Sequence, residues 1–213
     1  MNILSLNTSF NESYVAVKTN SQTILKQMDS SLKQSENILG LIDMALYEAK
    51  IKLANVDAIA CVVGPGSFTG IRIGAGLAKG FCSAMPNIKR IPINSLDLLA
   101  YSFSKTMPKN NFWVCLNALS GNYFVCKYSA AAKQLCEPFL AFGDDVEKID
   151  GCVVGIKQEC LEICNSFVEL SAKDLLEYAE ILNENILMSE DFTPVYLRKS
   201  QAEAELDKKN GNS

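Results

Sequence analysis

Apolar residues recur along this chain in two rhythms. Residues 3–6 are a short apolar run that stops at Asn7-Thr8-Ser9. Residues 13–18 (SYVAVK) alternate, and a second polar turn leads into 22–28. Such alternation reads as strands, so the chain is expected to open as a meander. Behind the polar starter Ser35, the positions Ile38, Leu39, Leu41, Ile42, Ala45, Leu46 and Ala49 fall at helical spacing. Residues 57–64 (DAIACVVG) are apolar without alternation, as in a strand covered on both faces. Gly64-Pro65-Gly66-Ser67-Phe68 ends that strand. Residues 69–85 then read as a helix, 90–93 as a short strand, and Ser95 as the cap of a helix through Phe103, with Asp97 in its first turn.

Met107-Pro108-Lys109-Asn110-Asn111 interrupts this pattern and is the best linker. Beyond it lie three extended stretches, at 112–117, 123–129 and near 135–142. GCVVGI, a helix around 159–165, FVEL and a helix over 172–183 follow. The expectation is an α/β chain with a first lobe at 1–106, a smaller second lobe at 107–199, and a disordered tail at 200–213. Residues 6–17 (LNTSFNESYVAV) and 116–126 (LNALSGNYFVC) form a faint repeat: a strand ending in Leu-Asn, a polar turn, then an aromatic-led strand.

Composition narrows the chemistry. With 48% apolar and 21% charged residues among 213, the balance is that of an ordinary globular protein, which excludes a long disordered chain, a collagen-like fibre or a coiled coil. A net charge of −4 gives no electrostatic grip on a phosphate backbone, so any nucleic acid must be held by a partner. There is no histidine, which excludes Ser-His-Asp and Cys-His catalysis, a His zinc site and a His general base. The eight cysteines, at 61, 82, 115, 126, 136, 152, 160 and 164, form no C-x-x-C pair. Cys61, Cys115, Cys126 and Cys152 sit in apolar runs, so eight free thiols, mostly buried, are expected. No signal peptide is visible and no apolar run approaches the roughly 18 residues of a spanning helix, so the chain reads as cytoplasmic with no membrane partner.

Gly64-Pro65-Gly66-Ser67-Phe68-Thr69-Gly70-Ile71-Arg72-Ile73-Gly74 is the one specific motif. It lacks the Gly-Lys-Ser/Thr of a Walker A loop, and Gly70 falls one residue late for a dinucleotide fingerprint. Gly64 and Gly66 allow a tight turn off the buried strand, and Ser67 or Thr69 can cap the helix that follows. That makes Gly64, Gly66, Ser67 and Thr69 a candidate anion-binding loop. Gly70, Gly74, Gly76 and Gly80, with Ala75 and Ala78, place small residues through this helix. An interior glycine costs about 1 kcal/mol against alanine, so another element must come close. The spacing leaves open whether that element is the chain's own sheet or another molecule.

The segment IACVVGPGSFTGIRIGAGLAKG closely resembles the signature of the TsaB (YeaZ) family of bacterial tRNA-modification proteins. ILSLNTS at the start, Ser35-Glu36 before its helix, Ile93-Asn94-Ser95-Leu96 and Pro194-Val195-Tyr196-Leu197-Arg198 agree in order and spacing; the second lobe matches loosely. The resemblance implies a two-lobed actin/Hsp70/sugar-kinase (ASKHA) type fold with a truncated second lobe. It also implies a role in making N6-threonylcarbamoyladenosine at position 37 of tRNAs that read codons beginning with A. TsaB-like proteins are not the catalyst. They pair with the transferase TsaD, and an ATPase, TsaE, joins the assembly; metal and nucleotide are expected on those partners, with no cofactor in this chain. tRNA is met only through the complex, and a homodimer of the free chain is a further option. Three positions depart from the family: Asn7 stands where it has Asp in Ile-Asp-Thr, Asn117-Ala118-Leu119 replaces Asp-Ala-Arg, and Gln34-Ser35-Glu36 replaces His-Ser-Glu.

In phosphotransferases of this superfold, carboxylates at the two hairpins place Mg²⁺ on the nucleotide phosphates. An amide holds Mg²⁺ poorly, which sets Asn7 and Asn117 against a small-molecule kinase, the alternative function. A metalloprotease lacks ligands altogether. The family implies a helical interface with TsaD or a second copy, placed here at Ser35, Glu36, Leu39, Ile42, Leu46, Thr69, Gly70, Arg72, Ile73, Gly74 and Leu77. Several have plainer readings: the stripe on the 35–50 helix as core, Arg72 as an exposed helix arginine, Glu36 as a favourable charge at its helix start. Tyr196 and Arg198 are expected to dock the tail on the body.

Overall fold

The computed structural model describes residues 1–28, 34–159, 161–185 and 191–196. Cys160, Leu197, Arg198 and the tail expected at 200–213 lie outside these. The opening meander is β1 (Ile3–Asn7), β2 (Ser13–Lys18) and β3 (Thr23–Met28), paired antiparallel. β4 (Ala58–Gly64) and β5 (Lys89–Asn94) join it in parallel, giving the order β3-β2-β1-β4-β5. Parallel neighbours need crossovers, and α1 (Gln34–Glu48) and α2 (Phe68–Ala84) supply them. α3 (Ser95–Ser104) follows β5. Its cap is Asn94, whose side chain accepts from the Leu96 amide at 2.8 Å; Ser95, the expected cap, is the first helical residue.

The second sheet repeats the plan. β6 (Phe112–Asn117), β7 (Asn122–Tyr128) and β8 (Phe139–Phe142) are antiparallel, and β9 (Cys152–Ile156) and β10 (Ser166–Val168) run parallel, in the order β10-β9-β6-β7-β8. Read from its other edge, this is the order of the first sheet. The crossovers shrink: α4 (Gly143–Glu147) is five residues, and the helix expected around 159–165 is absent among the described residues, where a 3-10 turn spans Lys157–Glu159. The physical reason is Asn165. Its side chain bonds the Val153 amide and the Gly151 carbonyl, and its own amide bonds the Val153 carbonyl, so too little chain is left for a helix.

β4 is buried along its whole length. Ile59, Cys61 and Val63 face a core shared with α1 and α2. Ala58, Ala60 and Val62 face a larger core that takes in Leu99 from α3, Phe112 and Val114 from the second sheet, and Leu175 from α5 (Ala172–Asn185). One apolar core therefore joins the two sheets. Polar ties reinforce it: Tyr128 donates to Asp97 at 2.7 Å, and Lys105 on α3's end reaches Asp174 (2.5 Å) and Glu177 (2.7 Å) on α5. α5 also packs on β1 and β2, with Lys18 paired to Glu180. Finally Asp191–Tyr196 returns to the first lobe, where Phe192 is fully buried and the Val195 amide bonds the Val63 carbonyl at 2.8 Å.

Candidate functional site

The glycine loop leaves the end of β4 at Gly64, whose φ of +107° suits glycine. Gly66 lies so close to the first hairpin that a Cβ there would sit 2.6 Å from the Ser9 carbonyl oxygen. The Ser67 amide donates to that same oxygen at 2.9 Å, and the Ser67 hydroxyl caps α2 by accepting from the Gly70 amide at 3.2 Å. Thr69 does not cap; it is an exposed residue of the first turn. The Ser67 amide and the Gly70 amide that meets its hydroxyl are thus spent inside the chain. For the anion-binding expectation at Gly64, Gly66, Ser67 and Thr69, this leaves the Ser67 amide already paired with the Ser9 carbonyl.

The first hairpin also places the small residues of α2. Thr8 donates its hydroxyl to the Gly70 carbonyl at 2.6 Å; a Cβ on Gly70 would strike the Thr8 carbonyl, and one on Gly74 would lie 2.6 Å from the Thr8 hydroxyl and 3.3 Å from the Cys61 sulfur. Gly70 and Gly74 therefore serve the contact of α2 with its own sheet. Ile42 (2% exposed) and Leu46 (6%) likewise face the core. All four are buried within the chain itself.

What α1 and α2 turn outward is different. α1 exposes Ser35, Glu36, Leu39, Gly40, Asp43, Met44 and Tyr47; Leu39 is 51%, Met44 54% and Tyr47 85% exposed. α2, packed beside it, exposes Thr69, Arg72, Gly76 and Gly80, with Ile73 and Leu77 half-buried at the edge of the core. A Cβ on Gly40, Gly76 or Gly80 would meet nothing within 4 Å. Arg72 lies over the Phe68 ring at 4.1 Å and donates to the Tyr196 hydroxyl at 3.2 Å, and the Phe68 and Tyr196 rings are 4.8 Å apart. Tyr196 thus docks on α2 as expected, and Arg72 is its anchor. Sequence reasoning missed Met44 and Tyr47. The available signal was that α1 is apolar on more than one side, which a helix needing only its own core does not require.

At the hairpin ends, Asn7 accepts from the Ser9 amide at 3.0 Å and hydroxyl at 2.6 Å, and Asn117 accepts from the Leu119 amide at 2.8 Å. Both asparagines close turns onto the residue two places on, the same device in each lobe. Gln34 donates to the Phe10 carbonyl at 2.9 Å and pins the first hairpin to α1. Beside the second hairpin stands Glu159, whose carboxyl is pushed up by burial, against the opposing effect of a hydrogen bond with the Asn117 backbone. Among the described residues no cluster of three or more Cys, Asp and Glu is placed to hold a metal, and no helix is long and apolar enough to cross a membrane.

A family model described as TsaD, tRNA N6-adenosine threonylcarbamoyltransferase, matches residues 20–205. The chain is similar to the tRNA threonylcarbamoyladenosine biosynthesis protein TsaB of Buchnera aphidicola subsp. Schizaphis graminum, 30% identical over 128 residues, or 59% of this chain and 60% of that protein. The protein of the same name from Haemophilus influenzae is 30% identical over 118 residues, 55% of this chain and 50% of that one. The matches thus span between half and three-fifths of those relatives. The solved structure of YeaZ from Pseudomonas aeruginosa superposes with a TM-score of 0.75 over 92% of this chain and 99% of that one at 21% identity, which is a likeness of fold.

Proposed function

The chain belongs to the TsaD family, on the side of its TsaB (YeaZ) members, and on that premise we propose that it serves N6-threonylcarbamoyladenosine biosynthesis as a protein partner of a TsaD-like transferase rather than as the transferase. The observation that carries the reading is the outward strip of α1, where Leu39, Met44 and Tyr47 stand exposed on a helix whose other side already fills the core. Apolar side chains concentrated in this way are what a docking surface supplies. The side-chain-free positions Gly40, Gly76 and Gly80 let a partner helix approach closely.

Catalysis is assigned to the partner. The chain has no histidine, and Asn7 and Asn117 spend their side chains on their own turns. Metal and nucleotide then belong to the TsaD-like transferase and a TsaE-like ATPase, and tRNA, poorly attracted by a net charge of −4, is met through the complex in the cytoplasm. A second copy of this chain takes the same strip when the transferase is absent. The kinase alternative would need acidic residues where Asn7 and Asn117 stand.

The test is co-purification with the host's TsaD-like protein, together with the threonylcarbamoyladenosine content of tRNA from cells lacking this chain. Association and loss of the modified nucleoside are expected. Turnover of ATP or tRNA by the partner-free chain, clearly above a boiled control, would defeat the reading.

A further inference from the structure

Among the described residues, the second lobe holds two pairs of neighbouring thiols. Cys115 and Cys164 are neighbours buried in the same small core of the second lobe. Cys126, on β7, is fully buried, but its neighbour Cys136 is half-buried and open to solvent. Residues 133–136 run antiparallel to the end of β7. The Ser129 amide bonds the Lys133 carbonyl at 2.9 Å, the Leu135 amide bonds the Lys127 carbonyl at 2.8 Å, and Tyr128 faces Gln134 between them. That bridge is isolated; its register, carried two places further, would bring Cys136 opposite Cys126, and partners of this non-hydrogen-bonded kind approach to about 4.5 Å between Cα atoms. Disulfides span Cα separations of about 4.4–6.8 Å. The sulfurs' contacts agree: the Cys126 thiol donates to the Cys136 carbonyl at 3.2 Å, and the Cys136 sulfur accepts from the Lys127 amide at 3.2 Å.

We propose that Cys126 and Cys136 are a dithiol modification site, which a low-molecular-weight disulfide such as oxidised glutathione converts to an intrachain disulfide. Cys136, the thiol solvent reaches, loses its proton to water and attacks one reagent sulfur. The reagent's S–S bond breaks, one thiolate leaves, and a mixed disulfide forms. Cys126, whose thiol burial pushes up to about 12, gives up its proton more slowly and then attacks the Cys136 sulfur, expelling the second thiolate. The protein gives up two electrons and two protons, and the reagent carries them away as two thiols.

The native full chain, incubated with oxidised glutathione, is read by intact mass and by peptide mapping without reduction. The expected product is lighter than the reduced chain by two hydrogens, joins the Cys126 and Cys136 peptides, and reverts with dithiothreitol. Cys126→Ser is expected to stop at a glutathione adduct on Cys136. A bridge between any other cysteines, a lasting adduct on wild-type Cys136, or a chain left unmodified would each overturn the proposal.

Discussion

Thr8 donates its hydroxyl to the Gly70 carbonyl over 2.6 Å, and its own carbonyl stands where a Gly70 side chain would have to go. The first hairpin and α2 are locked together backbone to backbone. Gly70→Ala should therefore destabilise the free chain by about 1–3 kcal/mol or more, because the obstructing atom is main chain and cannot swing away. Gly76→Ala, with open space around it, should instead stabilise by up to about 1 kcal/mol through helix propensity. Urea melts of the two variants check this; equal effects would mean that α2 does not sit this close to the hairpin.

The two sides of α1 should separate stability from binding. Tyr47→Asp, at a largely exposed position, is expected to change stability by less than about 0.5 kcal/mol. It should weaken binding to the TsaD-like transferase tenfold or more, about 1.4 kcal/mol. Ile42→Asp should fail at folding, since it buries an unpaired charge. Titration calorimetry beside circular dichroism distinguishes the cases, and a Tyr47→Asp chain binding at wild-type strength would remove α1 from the interface.

Burial pushes the Asp97 carboxyl up, opposed by the hydrogen bond from Tyr128, and Glu159 is pushed up in the same way. Above the ordinary carboxyl value and below the raised one, the folded chain binds more protons than the unfolded chain. These groups thus contribute stability in acid that is lost as pH rises through their folded-state values. Glu177 and Asp191, held low chiefly by Lys105 and Lys79, act in the opposite sense. Asp97→Asn keeps an acceptor for Tyr128 and removes the titration. Its urea stability should fall less than wild type's between acid and neutral pH; parallel pH profiles would show that Asp97 ionises as freely folded as unfolded.

Phe192 is fully buried against the first lobe although it lies beyond α5. Phe192→Ala should cost about 3–5 kcal/mol, as a large side chain removed from a closed core does. A melt shifted only slightly would mean that the returning segment is superficial.

Most of the architecture was legible because it rests on local rhythm. Short apolar or alternating runs broken by polar turns marked β1 to β3, the unbroken apolar run marked β4, and helical spacing marked α1 to within a residue or two. The glycine motif marked its loop, yet its spacing could not tell an inward glycine from an outward one: Gly70 and Gly74 face Thr8, while Gly76 and Gly80 face open space. Contacts between distant residues left no trace in local pattern. Asp97 with Tyr128, Lys105 with Asp174, and Phe192 in the first core each depend on where α3 and α5 cross the two sheets.

The return of Asp191–Tyr196 to the first lobe bears on when the protein can finish folding. β1 to β5 and their helices are complete by residue 104, long before Phe192 leaves the ribosome. Until then the core that includes Leu4, Ile59, Ala75 and Cys82 lacks the Phe192 ring, and the Val63 carbonyl lacks the Val195 amide. The emerging first lobe thus waits as an incompletely closed intermediate. Contacts spanning nearly the whole chain slow the last step and tie it to the end of synthesis. A chain released short of Phe192 would keep the first lobe's helices and leave that core incompletely covered.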